Sequence, residues 1–318
     1  MLRNSLIFLS QSTAARAVVT KTPLRAMSRR FVPGETVEDL VGAVREANRD
    51  GLSATGNYLG ESVHDEPNAR RAADIYMNVL DRIHEEALDA NISLKFTQLG
   101  QDISETFLAK NLGRVLDRAD ETDTFIRFDM EGSDYTQRTL DAFEKLWAQG
   151  RRNIGVVLQS YLRRSAGDVA RMNELGARVR LCKGAYAEPE SAAFQLREEV
   201  DASFVELMKT LLAEGNYPGI ATHDDRMIDA TVAFAQEEGI GPEKFEFQML
   251  HGVRRDLQTQ LVRDGYNVRA YVPFGEHWYP YLMRRLAERP ANMLFFAGSM
   301  VKESPLGFLW PSGNGRPS

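Results

Sequence analysis

Eight short apolar or β-rich runs, each followed by a longer amphipathic stretch, constrain this chain more than any other feature. The runs lie at 53–59, 92–98, 124–130, 153–159, 178–182, 219–222, 245–249 and 267–272. Helical patterns fill 68–88, 104–119, 135–149, 166–175, 191–214, 226–238, 254–264 and 279–288, and one more, at 36–49, precedes the first strand. Strands separated by whole helices pair in parallel, because each crossover returns the chain to the same end of the sheet. Eight such units are the number that closes a (β/α)8 barrel. The alternative is a doubly wound open sheet, which normally has fewer strands and often a Gly-rich first βα turn. No G-x-G-x-x-G follows a strand here; the close glycine pair in Pro311-Ser-Gly-Asn-Gly-Arg lies in the C-terminal tail. The spacing therefore predicts one α/β barrel.

Helix starts carry their own signals. Thr36-Val-Glu-Asp39 resembles a capping box, and Ser104 and Asp224 stand where side-chain caps are needed. No composition break interrupts 36–300, so the chain divides into an N-terminal segment at 1–34, a barrel at 35–303 and a flexible tail at 304–318.

Composition excludes several classes. At 318 residues, 43% hydrophobic and 26% charged, the chain reads as a soluble globular protein. A net charge of −6 speaks against nucleic-acid binding, which wants a basic surface. The single cysteine, Cys182, excludes an intramolecular disulfide and reads as core. No apolar run approaches the roughly 20 residues of a membrane span. Six of the 39 basic residues and none of the 45 acidic ones fall in residues 1–34, leaving 33 basic against 45 acidic in the remainder. That start reads as a basic helical or flexible segment that packs on the body, meets a partner or touches anionic lipid. A transit peptide for organelle import is the alternative.

Barrel active sites lie at the C-terminal ends of the strands, and polar residues gather at those positions. They include Lys95 and Gln98, Arg127, Asp129 and Glu131, Gln159, Arg180 and Lys183, Thr222-His223-Asp224, Glu246, Gln248 and His251, then Arg269 and Tyr271. Lys95 and Asp129 read alternatively as a structural ion pair on neighbouring strands, and His223 as a capping histidine. His64, His84, His223, His251 and His277 fall on separate elements without metal-ligand spacing, so no metal is expected. Nor does a G-x-S-x-G nucleophile occur.

The last helix carries Tyr281 one turn before adjacent Arg284 and Arg285, with Glu288 one turn beyond. Two guanidinium forks suit a carboxylate or phosphate; an exposed helix face with Arg–Glu pairs is the alternative. With Lys95, Arg180 and Lys183 they make the expected mouth rich in cations against Asp129, Glu131 and Glu288. An anionic ligand follows, and several phosphates plus a small carboxylate account for so many cations better than one acid.

Eight segments together resemble one family. They are Ser93-Leu-Lys95-Phe-Thr-Gln98, Arg127-Phe-Asp129-Met130-Glu131, Val157-Leu-Gln159-Ser-Tyr161, Arg180-Leu-Cys-Lys183-Gly184-Ala185-Tyr186, Ala221-Thr222-His223-Asp224, Phe245-Glu-Phe-Gln248-Met-Leu250, Val268-Arg-Ala-Tyr271 and Tyr281-Leu-Met-Arg284-Arg285-Leu-Ala-Glu288. In order and spacing the chain resembles the monofunctional bacterial proline dehydrogenases. The resemblance implies a distorted, FAD-dependent (β/α)8 barrel whose closing helix lies over the mouth. It implies oxidation of L-proline to Δ1-pyrroline-5-carboxylate, with hydride passing from proline C5 to flavin N5.

The resemblance also assigns roles. Asp129 and Tyr186 match catalytic positions. Lys95, Arg284 and Arg285 would clamp the proline carboxylate, and Tyr271, Tyr281 and Leu250 would shape the ring pocket. Met130, Gln159, Arg180, Lys183, Gly184, Ala185, Thr222 and His223 would hold the flavin, with Gln248 and Glu288 in support. Asp129 either takes the amine proton or orders the clamp. Residues 187–190, Ala-Glu-Pro-Glu, stand where some relatives place an aromatic or basic residue beside the flavin. A quinone-type acceptor is implied, hence a cytoplasmic protein in peripheral contact with the inner face of the membrane. Oxidation of the product falls to a separate pyrroline-5-carboxylate dehydrogenase. The residues alone leave open a Schiff-base lyase or aldolase using Lys183, or a redox-inactive anion-binding barrel.

Overall fold

The computed structural model describes residues 28–288, with side chains in the last helix as far as Met283. Eight parallel strands close into a barrel in sequence order: β1 (Ser53–Tyr58), β2 (Ala90–Leu94), β3 (Ile126–Phe128), β4 (Ile154–Gln159), β5 (Arg178–Cys182), β6 (Gly219–Ala221), β7 (Glu246–Leu250) and β8 (Asn267–Phe274). Closure comes from β8 against β1, in register from Ser53 opposite Arg269 to Tyr58 opposite Phe274. Helix α1 (Val37–Arg49) precedes the barrel. After the successive strands come α2 (Glu66–Glu85), α3 (Glu105–Glu121), α4 (Ser133–Ala148), α5 (Ser165–Leu175), α6 (Arg197–Glu214), α7 (Asp225–Glu237), α8 (Arg255–Arg263) and α9 (Trp278–Glu288).

Period-two alternation sorts the strand side chains. Ile92, Leu94, Ile126, Phe128, Val179, Leu181, Phe247, Met249, Val268 and Val272 join the apolar core that the helices cover. Between them, Ser93, Arg127, Arg180, Gln248 and Arg269 point the other way, so the barrel interior is polar instead of the branched aliphatic layers common in such barrels. Phe128 marks the packing outside, with ring centroids 4.7 Å from Phe96 and 6.3 Å from Phe143.

Helix caps form as the sequence predicts. Thr36 Oγ1 accepts from the Asp39 amide at 3.1 Å, and Asp39 accepts from the Thr36 amide at 3.0 Å. Ser104 and Asp224 cap α3 and α7. Two boundaries differ by four residues or more. The strand expected to run to residue 98 ends at Leu94, because Phe96 O accepts the amides of Leu99 and Gln101 and turns the chain. The helix expected from residue 191 starts at Arg197, because Ala193 bridges Leu162 and Pro189 O accepts the amides of Ala192 and Ala193.

The position of α9 follows from that of α1. Helix α1 packs outside β1 and β8, the slot the eighth helix takes in a regular barrel. The chain after β8 is thereby displaced across the mouth. Trp278, Tyr279, Tyr281, Leu282 and Met283 bury themselves against Leu59 and against Phe31 and Val32 of the chain ahead of α1. Trp278 Nε1 donates to Glu35 at 3.1 Å. The described end of the basic segment thus packs on the body; residues 1–27 and the tail lie outside the described residues.

Candidate active site

The ends of all eight strands open into one cavity of about 1040 Å³, roofed by Pro280 and Tyr281 of α9. Asn57, Lys95, Asp129, Gln159, Arg180, Thr222, Gln248 and Tyr271 mark the contributions of β1 to β8 in turn. The structure brings together Asp129, Tyr186, Lys95, Tyr271, Tyr281, Leu250, Met130, Gln159, Arg180, Lys183, Gly184, Ala185, Thr222, His223 and Gln248 around this cavity. The expectations for Arg284, Arg285 and Glu288 lie outside the described side chains.

Asp129 is the hub. Its Oδ1 accepts from Ser93 Oγ at 2.5 Å and from Arg180 Nη1 at 2.8 Å, while Oδ2 accepts from Tyr271 Oη at 2.6 Å. Arg180 also donates from Nε to Gln248 Oε1 and lies 5.2 Å from the centre of the Tyr271 ring. Burial, then the charge of Asp129, pushes the Tyr271 phenol well above its ordinary pKa, so it stays a donor. The alternative Lys95–Asp129 pair does not form. Asp129 takes Arg180 instead, and among the described residues Lys95 has no hydrogen-bond or ion-pair partner.

Lys183 Nζ donates to Asp201 and, at 2.9 Å, to Asp224. Burial raises the Asp224 carboxyl, but hydrogen bonds from Lys183 and Arg226 outweigh it and hold it well below the carboxylate range. The mouth is consequently less cationic than the sequence suggested, since Arg180 and Lys183 each bring carboxylates with them. The same pairing argues against Lys183 as a Schiff-base nucleophile, which needs a free neutral amine. Glu131 is also a correction: it is buried, accepts from Thr97 Oγ1 at 2.6 Å and does not line the cavity. His251, Glu246, Arg127 and Arg269 likewise stand off the cavity wall. Cys182 is half-buried and lines it, contrary to a purely core position.

Local backbone sets the remaining pieces. His223 Nε2 accepts the Leu250 amide at 2.9 Å, which leaves the ring proton of a neutral imidazole on Nδ1. Gly184 has φ +103°, and a Cβ there would lie 2.2 Å from the Tyr161 ring, so a glycine is required for the loop to pass. In residues 187–190, Glu188 accepts from the Ser133 amide at 2.8 Å and from the Ser133 hydroxyl. Helix α4 has Gly132 at its N-cap with no side-chain cap of its own, so Glu188 supplies the missing acceptor and ties two mouth loops together. Sequence reading missed this contact, together with Asn57, Asp201 and Tyr76, which reaches Ser93 O and Gln98 Oε1, each at 3.1 Å.

Parallel strands whose C-terminal ends converge on one large polar-floored cavity are the form of a (β/α)8 enzyme. The family described as proline dehydrogenase matches residues 40–297, and the chain belongs to that family. It is 39% identical over 303 residues to proline dehydrogenase 1 of Bacillus subtilis subsp. natto, covering 95% of this chain and 100% of that one. It is 39% identical over 280 residues to the proline dehydrogenase of Deinococcus radiodurans, covering 87% and 90%. Proline utilization A of Bdellovibrio bacteriovorus, solved after inactivation by N-propargylglycine, superposes with a TM-score of 0.80 at 26% identity; the match covers 93% of this chain and 36% of that one. The cavity is that of an enzyme oxidising proline in its catabolism.

Proposed function

We propose that the cavity holds FAD across the ends of β4 to β7 and L-proline beneath α9. Its size supports two ligands: about 1040 Å³ reaches the top of the usual range for a single small-molecule site, far beyond what proline fills. The single observation that carries the reading is Arg180. It is buried, committed by one arm to Asp129, and its Nη2 has no partner among the described residues. A buried guanidinium arm without a partner is costly, and a flavin beside it satisfies it. Gln159 Oε1, equally buried and unpartnered on the neighbouring strand, offers a complementary acceptor.

FAD held there would supply the two-electron acceptor for hydride from proline C5. The protein's part is to bind, orient and exclude water. The Lys95 ammonium takes the proline carboxylate, with Arg284 and Arg285 completing the clamp in this proposal. Tyr271, Leu250 and Tyr281 form the wall against the ring. A cationic surrounding also favours the neutral amine that hydride loss requires. Arg180 would help hold the flavin and supply a positive charge against the negative charge of its reduced form, and Met130, Gly184, Ala185, Thr222, His223 and the paired Lys183 would hold it as well. Tyr186, which lines the same cavity, would stand beside the flavin. Asp129 has both oxygens occupied, which favours ordering Tyr271 and Arg180 over accepting the amine proton.

A quinone-type acceptor at the membrane and a separate enzyme for pyrroline-5-carboxylate complete the proposal. Among the described residues no helix is long and apolar enough to cross a membrane. Gel filtration after incubation with FAD tests the cofactor: flavin should travel with the protein in equimolar amount, and its complete loss would remove the reading.

A further inference from the structure

Beneath the cavity floor a line of side chains crosses the barrel with one fixed order of donors and acceptors. Arg269 Nε donates to both oxygens of Glu246, at 2.9 and 3.0 Å, and Arg269 Nη1 donates to the Ala54 carbonyl at 2.8 Å. Glu246 Oε1 accepts from Gln248 Nε2 at 2.5 Å, and Tyr217 Oη lies 3.5 Å from Glu246 Oε2. Gln248 Oε1 in turn accepts from Arg180 Nε, and Arg180 Nη1 reaches Asp129. Arg180, Gln248 and Asp129 line the cavity; Glu246 and Arg269 do not.

A carboxamide is nearly symmetric in shape but not in hydrogen bonding. Reversed, Gln248 would set its NH2 group against the Arg180 N–H, donor facing donor. Sterics alone do not prevent this. Gly219 only makes room, since a Cβ there would stand 2.5 Å from Gln248 Nε2. Glu246 decides the matter, because an ionised carboxylate only accepts and so demands the NH2 side. Burial raises its pKa, but the charge of Arg269 and its hydrogen bonds outweigh burial and keep the carboxyl below its ordinary value.

We propose that Glu246 is a positioning residue for proline oxidation: by fixing the Gln248 carboxamide it holds Arg180 where its free arm meets the ligand. The inference rests on the flavin reading of Arg180 given above.

The test is Glu246→Gln in the FAD-loaded protein. A neutral carboxamide no longer dictates the order: with its oxygen in the Oε2 place it accepts from Arg269 and sets an NH2 against Gln248, which admits the reversed orientation that the carboxylate excludes. The flavin midpoint potential should become more negative and kcat should fall about tenfold, with KM for proline changed less than about twofold. Because Glu246→Gln leaves a buried Arg269 short of charge, the neutral pair Glu246→Gln with Arg269→Gln is measured beside it and should show the same shift. Folded, flavin-loaded variants with the parent potential and kcat would overturn the proposal. So would failure of both to fold, which would assign Glu246 to stability alone. If the parent protein itself gives no proline-dependent flavin reduction, the flavin reading fails first and separately.

Discussion

Tyr271 donates its hydroxyl to Asp129 Oδ2 across 2.6 Å, so the end of β8 is tied to the end of β3 through one carboxylate. The other oxygen of that carboxylate holds Ser93 and Arg180. A wall of the proposed substrate pocket and the cation beneath the proposed flavin therefore share a single anchor. A shift in Asp129 moves both.

Two substitutions separate these effects. Tyr271→Phe keeps the ring over Arg180 and removes one hydrogen bond to a charged group; kcat/KM for proline should fall about tenfold. Asp129→Ala also leaves Arg180 without its counter-ion, and the loss should reach about 100-fold or more. Steady-state kinetics of both variants check this, and equal effects would contradict a shared anchor.

Lys95 lines the cavity and has no hydrogen-bond or ion-pair partner among the described residues. Lys95→Met should raise KM for proline about 10–100-fold, the worth of one charge-assisted hydrogen bond. The flavin spectrum should stay unchanged. Loss of flavin with proline affinity intact would move Lys95 to the cofactor.

Glu188 caps α4 from a different loop. Glu188→Ala should destabilise the protein by about 1 kcal/mol and, by loosening the loop that follows Gly184 and Tyr186, weaken FAD retention roughly fivefold. Urea unfolding and FAD titration measure the two effects. A stability loss with unchanged FAD affinity would confine Glu188 to the helix.

His251 gives the fold an acid limit. Burial, with the charge of Arg255, lowers its pKa from 6.5 to about 4. The imidazole is neutral in the folded state, whereas the unfolded chain gains a proton below about pH 6.5. Its contribution is thus complete above that pH and is lost as pH falls toward 4. Between pH 7 and pH 5 the loss should be about 2 kcal/mol. His251→Leu should flatten that limb in urea unfolding; an unchanged slope would place the acid sensitivity elsewhere.

Much of this was legible in the sequence for a physical reason. Period-two runs such as Ile126-Arg127-Phe128 encode both a strand and which side chain enters the barrel. The rule that chemistry sits at strand ends then gathered Asp129, Arg180, Gln248 and Tyr271 around one mouth. Partners were less legible. Asp201 lies within α6, far along the chain from Lys183, and no local pattern marks it as the lysine's acceptor. The inward polar residues all looked like mouth residues because alternation gives the face but not the depth. Glu246 and Arg269 therefore sit below the cavity and Glu131 beside it. Turns imposed by Phe96 O and Pro189 shortened elements whose composition alone would have continued.

The central claim is that this cavity joins L-proline to a bound flavin. Anaerobic titration of the FAD-loaded protein with L-proline measures that directly. The flavin should bleach in proportion to added proline, yielding one Δ1-pyrroline-5-carboxylate per flavin reduced. Flavin that remains oxidised in excess proline, while firmly bound, would contradict the account.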